Sequence, residues 1–242
     1  MTSGLLISLR GSAMSDVRNN IRIVRESIAE AALRAGRKPS DVRLMAVTKT
    51  VDDDRIVEVV ECGVDIIGEN YVQEAKRKID KLGKRVEWHM IGYLQSNKAK
   101  YAVRIFDMIH SVDRMSLAAE LNRRAQAAGR PLKILIEVNT GGEATKSGAP
   151  TADVRGLIRS LSPLEYLSVQ GLMTMAPWFD NPEDARPYFR MLRELRDEIN
   201  HANIPHIEMK ELSMGMTADY EVAVEEGATI VRIGRKIFGE RI

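Results

Sequence analysis

The feature that most limits what this chain can fold into is an alternation repeated eight times. Short apolar runs appear at "VRLMAVTK", "VDIIGEN", "VEWHMIG", "DMIHSVD", "KILIEVN", "SVQGLMTM", "ELSMG" and "TIVRIG". Each has the length of a strand, and several are rich in β-branched residues. Between them lie amphipathic segments of helical length. "TVDDDRIVEVVECG" has Gly63 just past its close, and "NPEDARPYFRMLRELRDEIN" has Asn181 as cap with Pro182 at the first helical position. Strict alternation implies parallel strands joined by right-handed crossovers, and eight units favour closure over an open doubly wound sheet. The expectation is a single (β/α)8 barrel of the TIM type, a size that 242 residues suit.

One helix stands outside the count. "SDVRNNIRIVRESIAEAALRAGR" can be capped by Ser15 or Asp16, carries an apolar stripe of Ile21, Val24, Ile28 and Leu33, and ends at Gly36. It is expected across the bottom of the barrel. Residues 1–13 are expected to be a disordered arm or an upstream start ahead of Met14, with residues 14–242 as the barrel.

Composition excludes several classes. No apolar run approaches the roughly 18 residues of a membrane helix, and "GLLISL" is short and has no basic region before it, so neither a membrane span nor a secretory signal is expected. A net charge of +2 gives no general argument for nucleic acid. The basic runs "KRKIDKLGKR" and "SNKAKYAVR" have helical spacing, and with aromatic content at 5% they read as solvated helix faces. The single Cys62 precludes an internal disulfide and is read as a small buried residue, compatible with a reducing, cytoplasmic setting. No His, Cys or carboxylate grouping has metal-ligand spacing, so no metal is expected.

In a barrel of this kind the active face is built from the C-terminal ends of the strands. Those ends form a polar ring above an apolar plug: Lys49, then Glu69 and Asn70, His89 with Gly92, His110 with Ser111, and Asn139; later come Met173 with Met175, Ser213 with Gly215, and Arg232 with Gly234. An amine at a barrel mouth is partly desolvated, which favours the neutral form that attacks an aldehyde. The alternative for Lys49 is a side chain that snorkels to water or pairs with Asp52, Asp53 or Asp54. The last two runs place glycines at strand ends with helices close behind, so backbone N–H groups at Ser213, Met214, Gly215, Gly234 and Arg235 can converge on an anion. Plain turn geometry is the competing reading of each glycine. A lysine facing an anion cradle implies a phosphorylated aldehyde, and pyridoxal 5'-phosphate (PLP) has both groups on one flat ring. Methionines 90, 173, 175, 214 and 216 are read as adaptable filler around the mouth, and His89 and His110 as satisfied barrel histidines.

The stretches "VTKT", "IGENYVQE", "WHMIGYLQSNK", "IHSVD", "EATKSG", "GLMTM", "LSMGMTADYEVAVEEGATIVRIG" and "IFG" resemble the pyridoxal phosphate homeostasis proteins, small barrels related in fold to the N-terminal domain of alanine racemase. The resemblance runs from Ser15 to Gly239. It implies PLP as cofactor, held as a Schiff base on Lys49, with Ser213, Met214 and Gly234 at the phosphate and Asn70 and Arg232 beside the ring. Arg232 would then face the pyridine nitrogen and, by keeping its own proton, leave that nitrogen unprotonated and the ring a weak electron sink. Arg235 stands where many relatives carry a small hydroxyl residue; it can itself reach a phosphate, and Thr217 offers a hydroxyl.

The function expected is a cytoplasmic, PLP-binding homeostasis protein, monomeric or weakly dimeric, with PLP-dependent apo-enzymes as candidate receivers and no residue assigned a catalytic role. The chain closes at Ile242 just after the eighth unit, so no second domain is expected to bring an opposing acid or base. Two other readings stay open: an amino-acid racemase or decarboxylase using His89 or Tyr71, and a cofactor-free aldolase.

Overall fold

The computed structural model describes residues 11–143 and 147–239. Most of the expected arm, and Ala144 to Lys146 of the "EATKSG" stretch, lie outside the described residues. Eight strands fall one in each apolar run: β1 (Arg43–Val47), β2 (Ile66–Glu69), β3 (Glu87–Met90), β4 (Met108–Val112), β5 (Leu132–Asn139), β6 (Leu167–Met173), β7 (Glu211–Ser213) and β8 (Ile230–Ile233). They pair in the order β4-β3-β2-β1-β8-β7-β6-β5, and pairing of β4 with β5 closes the ring. Every pairing is parallel, with Met45 of β1, for example, opposite Ile66 on one side and Arg232 on the other. A two-residue pairing of Ala149 and Pro150 with Val138 and Asn139 extends the sheet beyond β5.

The helices are α1 (Gly11–Arg34), α2 (Asp53–Glu61), α3 (Val72–Leu82), α4 (Ala99–Ile105), α5 (Met115–Ala127), α6 (Thr151–Leu161), α7 (Arg186–His201), α8 (Tyr220–Glu225) and α9 (Arg235–Phe238). Asn181 does cap a helical start: its side chain accepts the Glu183 N–H, and the 3-10 turn Pro182–Ala185 leads into α7.

The first helix departs from expectation in place and in face. It does not cross the bottom of the barrel. It packs against α2, α8 and α9, which is the position in the outer ring of a helix that follows β8. The reason is the length of α9: four residues cannot cover the outside of β8 and β1. Val17, Ile21, Val24, Ile28 and Ala31 supply the missing apolar stripe, all at most 4% exposed, whereas Leu33 is 65% exposed. Polar contacts fix the docking. Asn20 donates to Ile237 O near the mouth, Arg25 to Cys62 O and Gly63 O, and Arg37 to Val224 O and Ala228 O near the floor. These bonds tie the first helix and the turn after it to carbonyls in or just past the last turns of α9, α2 and α8.

The barrel interior also differs from a plain apolar plug. Two small apolar groups, Met45 with Ile66 and Ile230, and Met108 with Leu135 and Met173, fill part of it. Buried polar side chains occupy the rest: His89, His110, Ser213 and Arg232. Met90 and Met214 belong instead to the large cluster beneath the helices, and Cys62 is half-buried rather than enclosed.

Candidate functional site

A cavity of about 480 Å³ opens at the C-terminal ends of the strands, where the barrel topology puts functional groups. Lys49, Asn70, Arg232, Gly234 and Arg235 all line it, and so does Thr217. Val47, Ile91 and Trp178 give it apolar walls. Ser213 and Met214 are elsewhere. Both are buried and neither lines the cavity; the Met214 N–H is spent on Ile230 O at 3.1 Å.

Lys49 is half-buried and lies two residues past the end of β1. Its two neighbours are strapped by one buried ion group. Lys78 of α3 is fully buried and donates to Thr48 O at 2.6 Å, to Glu69 Oε1 at 2.7 Å and to Glu74 Oε1 at 2.7 Å. Thr48 Oγ1 donates to the same Glu69 oxygen at 2.5 Å, and Glu74 Oε1 accepts the Thr50 N–H at 2.7 Å. That last bond holds an unusual backbone: Thr50 has φ of 62°, a conformation costly for a β-branched residue and found where surrounding structure enforces it. Burial pushes the Glu69 carboxyl up, opposed by Lys78 and Thr48. Burial also acts to raise Glu74, but the bonds from Lys78 and Thr50 outweigh it and hold that carboxyl below its ordinary value. Asp53, one candidate ion partner for Lys49, has its carboxylate occupied by Arg77 and Lys81.

This group corrects the reading of "KRKIDKLGKR" as a solvated face. Lys76, Arg77 and Lys81 are exposed, the first paired with the exposed Asp80 and the other two with Asp53, but Lys78 turns inward. The only sequence signal was the Glu74–Lys78 spacing of four, which is common on exposed helices too.

Arg232 is the second fixed point. Its Nη1 donates to Ser213 O (2.7 Å) and Ser213 Oγ (2.8 Å), and its Nη2 to Thr174 O (2.8 Å). Three of five guanidinium N–H groups are thus committed, leaving two for a ligand in the cavity. Burial lowers its pKa to about 10, with Asp219 and Glu137 acting the other way, so it stays a cation at neutral pH.

The turns after β7 and β8 close the opposite side. At Gly215, φ is 91° and a Cβ would sit 2.5 Å from Ala223 Cβ, so the chain passes too close to α8 for any side chain. Beyond it, the Met216 N–H is bound by Asp219 Oδ1 at 2.6 Å, which shapes the loop that brings Thr217 to the cavity. Gly234 O accepts from Ile237 N and Phe238 N. The amides of Arg235 and Lys236 open the following turn and have no carbonyl four residues back within it.

Residues 14–241 match the family described as alanine racemase, N-terminal domain. Over 222 residues the chain is 47% identical to the pyridoxal phosphate homeostasis protein of Aquifex aeolicus (strain VF5), covering 90% of this chain and 95% of that relative. The chain belongs to the pyridoxal phosphate homeostasis protein family. The structure of PipY from Synechococcus elongatus PCC7942 with PLP bound superposes with a TM-score of 0.81 at 35% identity, covering 92% of this chain and 100% of that one. Alanine racemase of Clostridium difficile 630 shares the fold, with a TM-score of 0.70 at 16% identity, and the match spans 94% of this chain and 57% of that one.

Within this homeostasis-family barrel, neither candidate proton-transfer residue faces the cavity. His89 is buried and bonded to Glu87 and His110, and Tyr71 is 62% exposed beside a separate depression next to Asn70. Among the described residues no cluster suited to a metal ion occurs, and no helix is long and apolar enough to cross a membrane.

One buried carboxyl near the site titrates in the physiological range. Burial first, then the charge of Asp113, raise Glu137 from 4.5 to about 7, with Arg232 opposing. A carboxyl raised on folding contributes fully below its unfolded value and loses that contribution as pH rises through the folded one. Glu137→Gln is therefore expected to match the wild type in thermal midpoint near pH 4 and to exceed it at pH 8. Melting curves across that range check this; a constant offset at every pH would contradict it.

Proposed function

We propose that this family member binds PLP reversibly, as a Schiff base on Lys49, and holds it for delivery to PLP-dependent apo-enzymes in the cytoplasm as a monomeric carrier. The observation that carries the reading is that Lys49, Arg232 and the Gly234–Arg235 turn line one cavity. The residues present fit the group. An amine stands ready for an aldehyde, a guanidinium for a ring nitrogen, and backbone amides with Thr217 and Arg235 for a phosphate. The Asn70 Oδ1 atom, buried and without a hydrogen-bond partner among the described residues, gives the ring edge a further polar contact.

When bound, PLP supplies an electron sink for reactions at amino-acid carbons, but only to the degree that its ring nitrogen is protonated. Arg232 can donate there and scarcely accept, so the chain's own chemistry favours holding over turnover. The positions of His89 and Tyr71 away from the cavity support the same conclusion. The test is a visible spectrum of the purified protein with and without borohydride, followed by mass mapping. A reduced pyridoxyl group on Lys49 is expected; one on another lysine, or none, refutes the assignment. Steady turnover of a stereo-defined amino acid would overturn the carrier role.

A further inference from the structure

A continuous line of hydrogen bonds crosses the barrel interior beneath the cavity and ends at Arg232. Its lower end is Glu87, which accepts from Arg43 at 2.7 Å. Glu87 Oε2 lies 3.0 Å from His89 Nε2, and His89 Nδ1 lies 3.0 Å from His110 Nε2. His110 Nδ1 lies 3.0 Å from Ser213 Oγ, which accepts from Arg232 Nη1 at 2.8 Å. His89, His110 and Ser213 are fully buried, and none of them lines the cavity.

The two ends fix the direction of every proton between them. Glu87, an anion, can only accept, so a neutral His89 carries its proton at Nε2 and accepts at Nδ1, which leaves His110 Nδ1 a lone pair for the Ser213 hydrogen. Arg232 can only donate, so Ser213 Oγ accepts from it. A neutral imidazole carries one N–H. His110 is then protonated at Nε2 and donates to His89 Nδ1, and His89 is protonated at Nε2 and donates to Glu87. Burial first, with the Arg232 guanidinium acting the same way, holds His110 well below its ordinary pKa, which agrees with a neutral ring. The bond to His89 and the Arg43 guanidinium, working against burial, hold Glu87 as an anion, with a pKa of about 2. A different tautomer at either ring would set two N–H groups or two lone pairs against each other.

We infer that Glu87, His89, His110 and Ser213 are positioning residues for Arg232: a one-directional relay that spends the Ser213 hydrogen on His110, keeps its lone pair turned to Arg232, and so fixes which guanidinium edge faces the cavity. Aligned bonds polarise one another, so the anion at the floor strengthens the grip on the cation at the mouth. In its functional half the inference rests on the PLP reading, because the edge left over is the one that would meet the ring nitrogen. It also gives Ser213 a role distinct from phosphate contact: the hydroxyl acts on the ligand through Arg232.

The test uses the full chain with labelled histidine, of which there are four. Nitrogen-15 spectra at pH 7 are expected to show His89 and His110 as neutral rings protonated at Nε2, and PLP is expected to shift the His110 resonances although that ring lines no part of the cavity. Ser213→Ala is expected to weaken PLP binding about 10-fold, the worth of one oriented hydrogen bond, and to move the visible band. Ser213→Thr, which keeps the hydroxyl, restores both. An imidazolium or an Nδ1-protonated ring at either position overturns the relay. So does a Ser213→Ala protein with wild-type affinity and spectrum. Relay tautomers as stated, with no adduct at Lys49, would uphold the relay and overturn the PLP reading.

Discussion

Lys78→Met is expected to lower the unfolding free energy by about 3–5 kcal/mol, the usual cost of removing one partner from a buried ion group. The lysine is fully buried and is the shared donor of Thr48 O, Glu69 and Glu74. Without it two carboxylates share a dry site, and Glu69 already has one oxygen, Oε2, with no hydrogen-bond partner among the described residues. Deprotonating both then costs more than folding recovers. The consequence reaches function through Thr50, whose left-handed backbone is held by Glu74. Once Glu74 is freed to turn toward water, Thr50 relaxes and Lys49 loses its fixed direction, so PLP affinity is expected to fall along with stability. Urea unfolding of Lys78→Met, Glu69→Gln and the double variant provides the cycle. The double variant is expected to recover part of the loss, since its remaining amide is neutral. A Lys78→Met protein within 1 kcal/mol of wild type would show that the group neither stabilises the barrel nor aims Lys49.

The barrel and the mouth were legible in the sequence because both rest on local, periodic signals. Eight apolar runs each became a strand, and the residues at their ends converged because strand ends in a closed parallel ring have nowhere else to go. What was not legible depends on which way a side chain turns from an element already placed. Lys78 looked like its solvated neighbours Lys76, Arg77 and Lys81; only the presence of Glu69 at the end of β2 decides that it points inward. Ser213 sat at a strand end among cradle residues, yet its hydroxyl faces His110 and Arg232. The first helix was recognised as a helix, but its location follows from how short α9 is, which no apolar stripe reveals. The polar line through the interior combines residues from β3, β4, β7 and β8 that are far apart in the chain, and no single motif contains it.

Gly92→Ala tests how tightly the fold and the site are joined. Gly92 follows β3, and a Cβ there would lie 2.5 Å from Asn70 O, 2.8 Å from Asn70 Cα and 3.0 Å from Asn70 C. These are backbone atoms, so no rotamer change relieves the clash. Gly92 cannot retreat either, because its carbonyl accepts from Ser111 Oγ at 2.6 Å on the other side. The residue that must move is Asn70, which lines the cavity with Lys49 and Arg232. The variant is expected to lose about 1–3 kcal/mol of stability by overpacking, and to bind PLP more weakly than that loss alone would cause while it is still folded. Gly156→Ala is the control: this glycine is exposed within α6 with nothing within 4 Å of a Cβ, so alanine should stabilise the chain by about 0.5–1 kcal/mol. Urea midpoints and PLP titrations of the two variants separate a strained site from a merely weaker protein. Should Gly92→Ala retain wild-type affinity, the end of β2 would not be the wall against which the ligand is held, and the place of Asn70 in the site would fall.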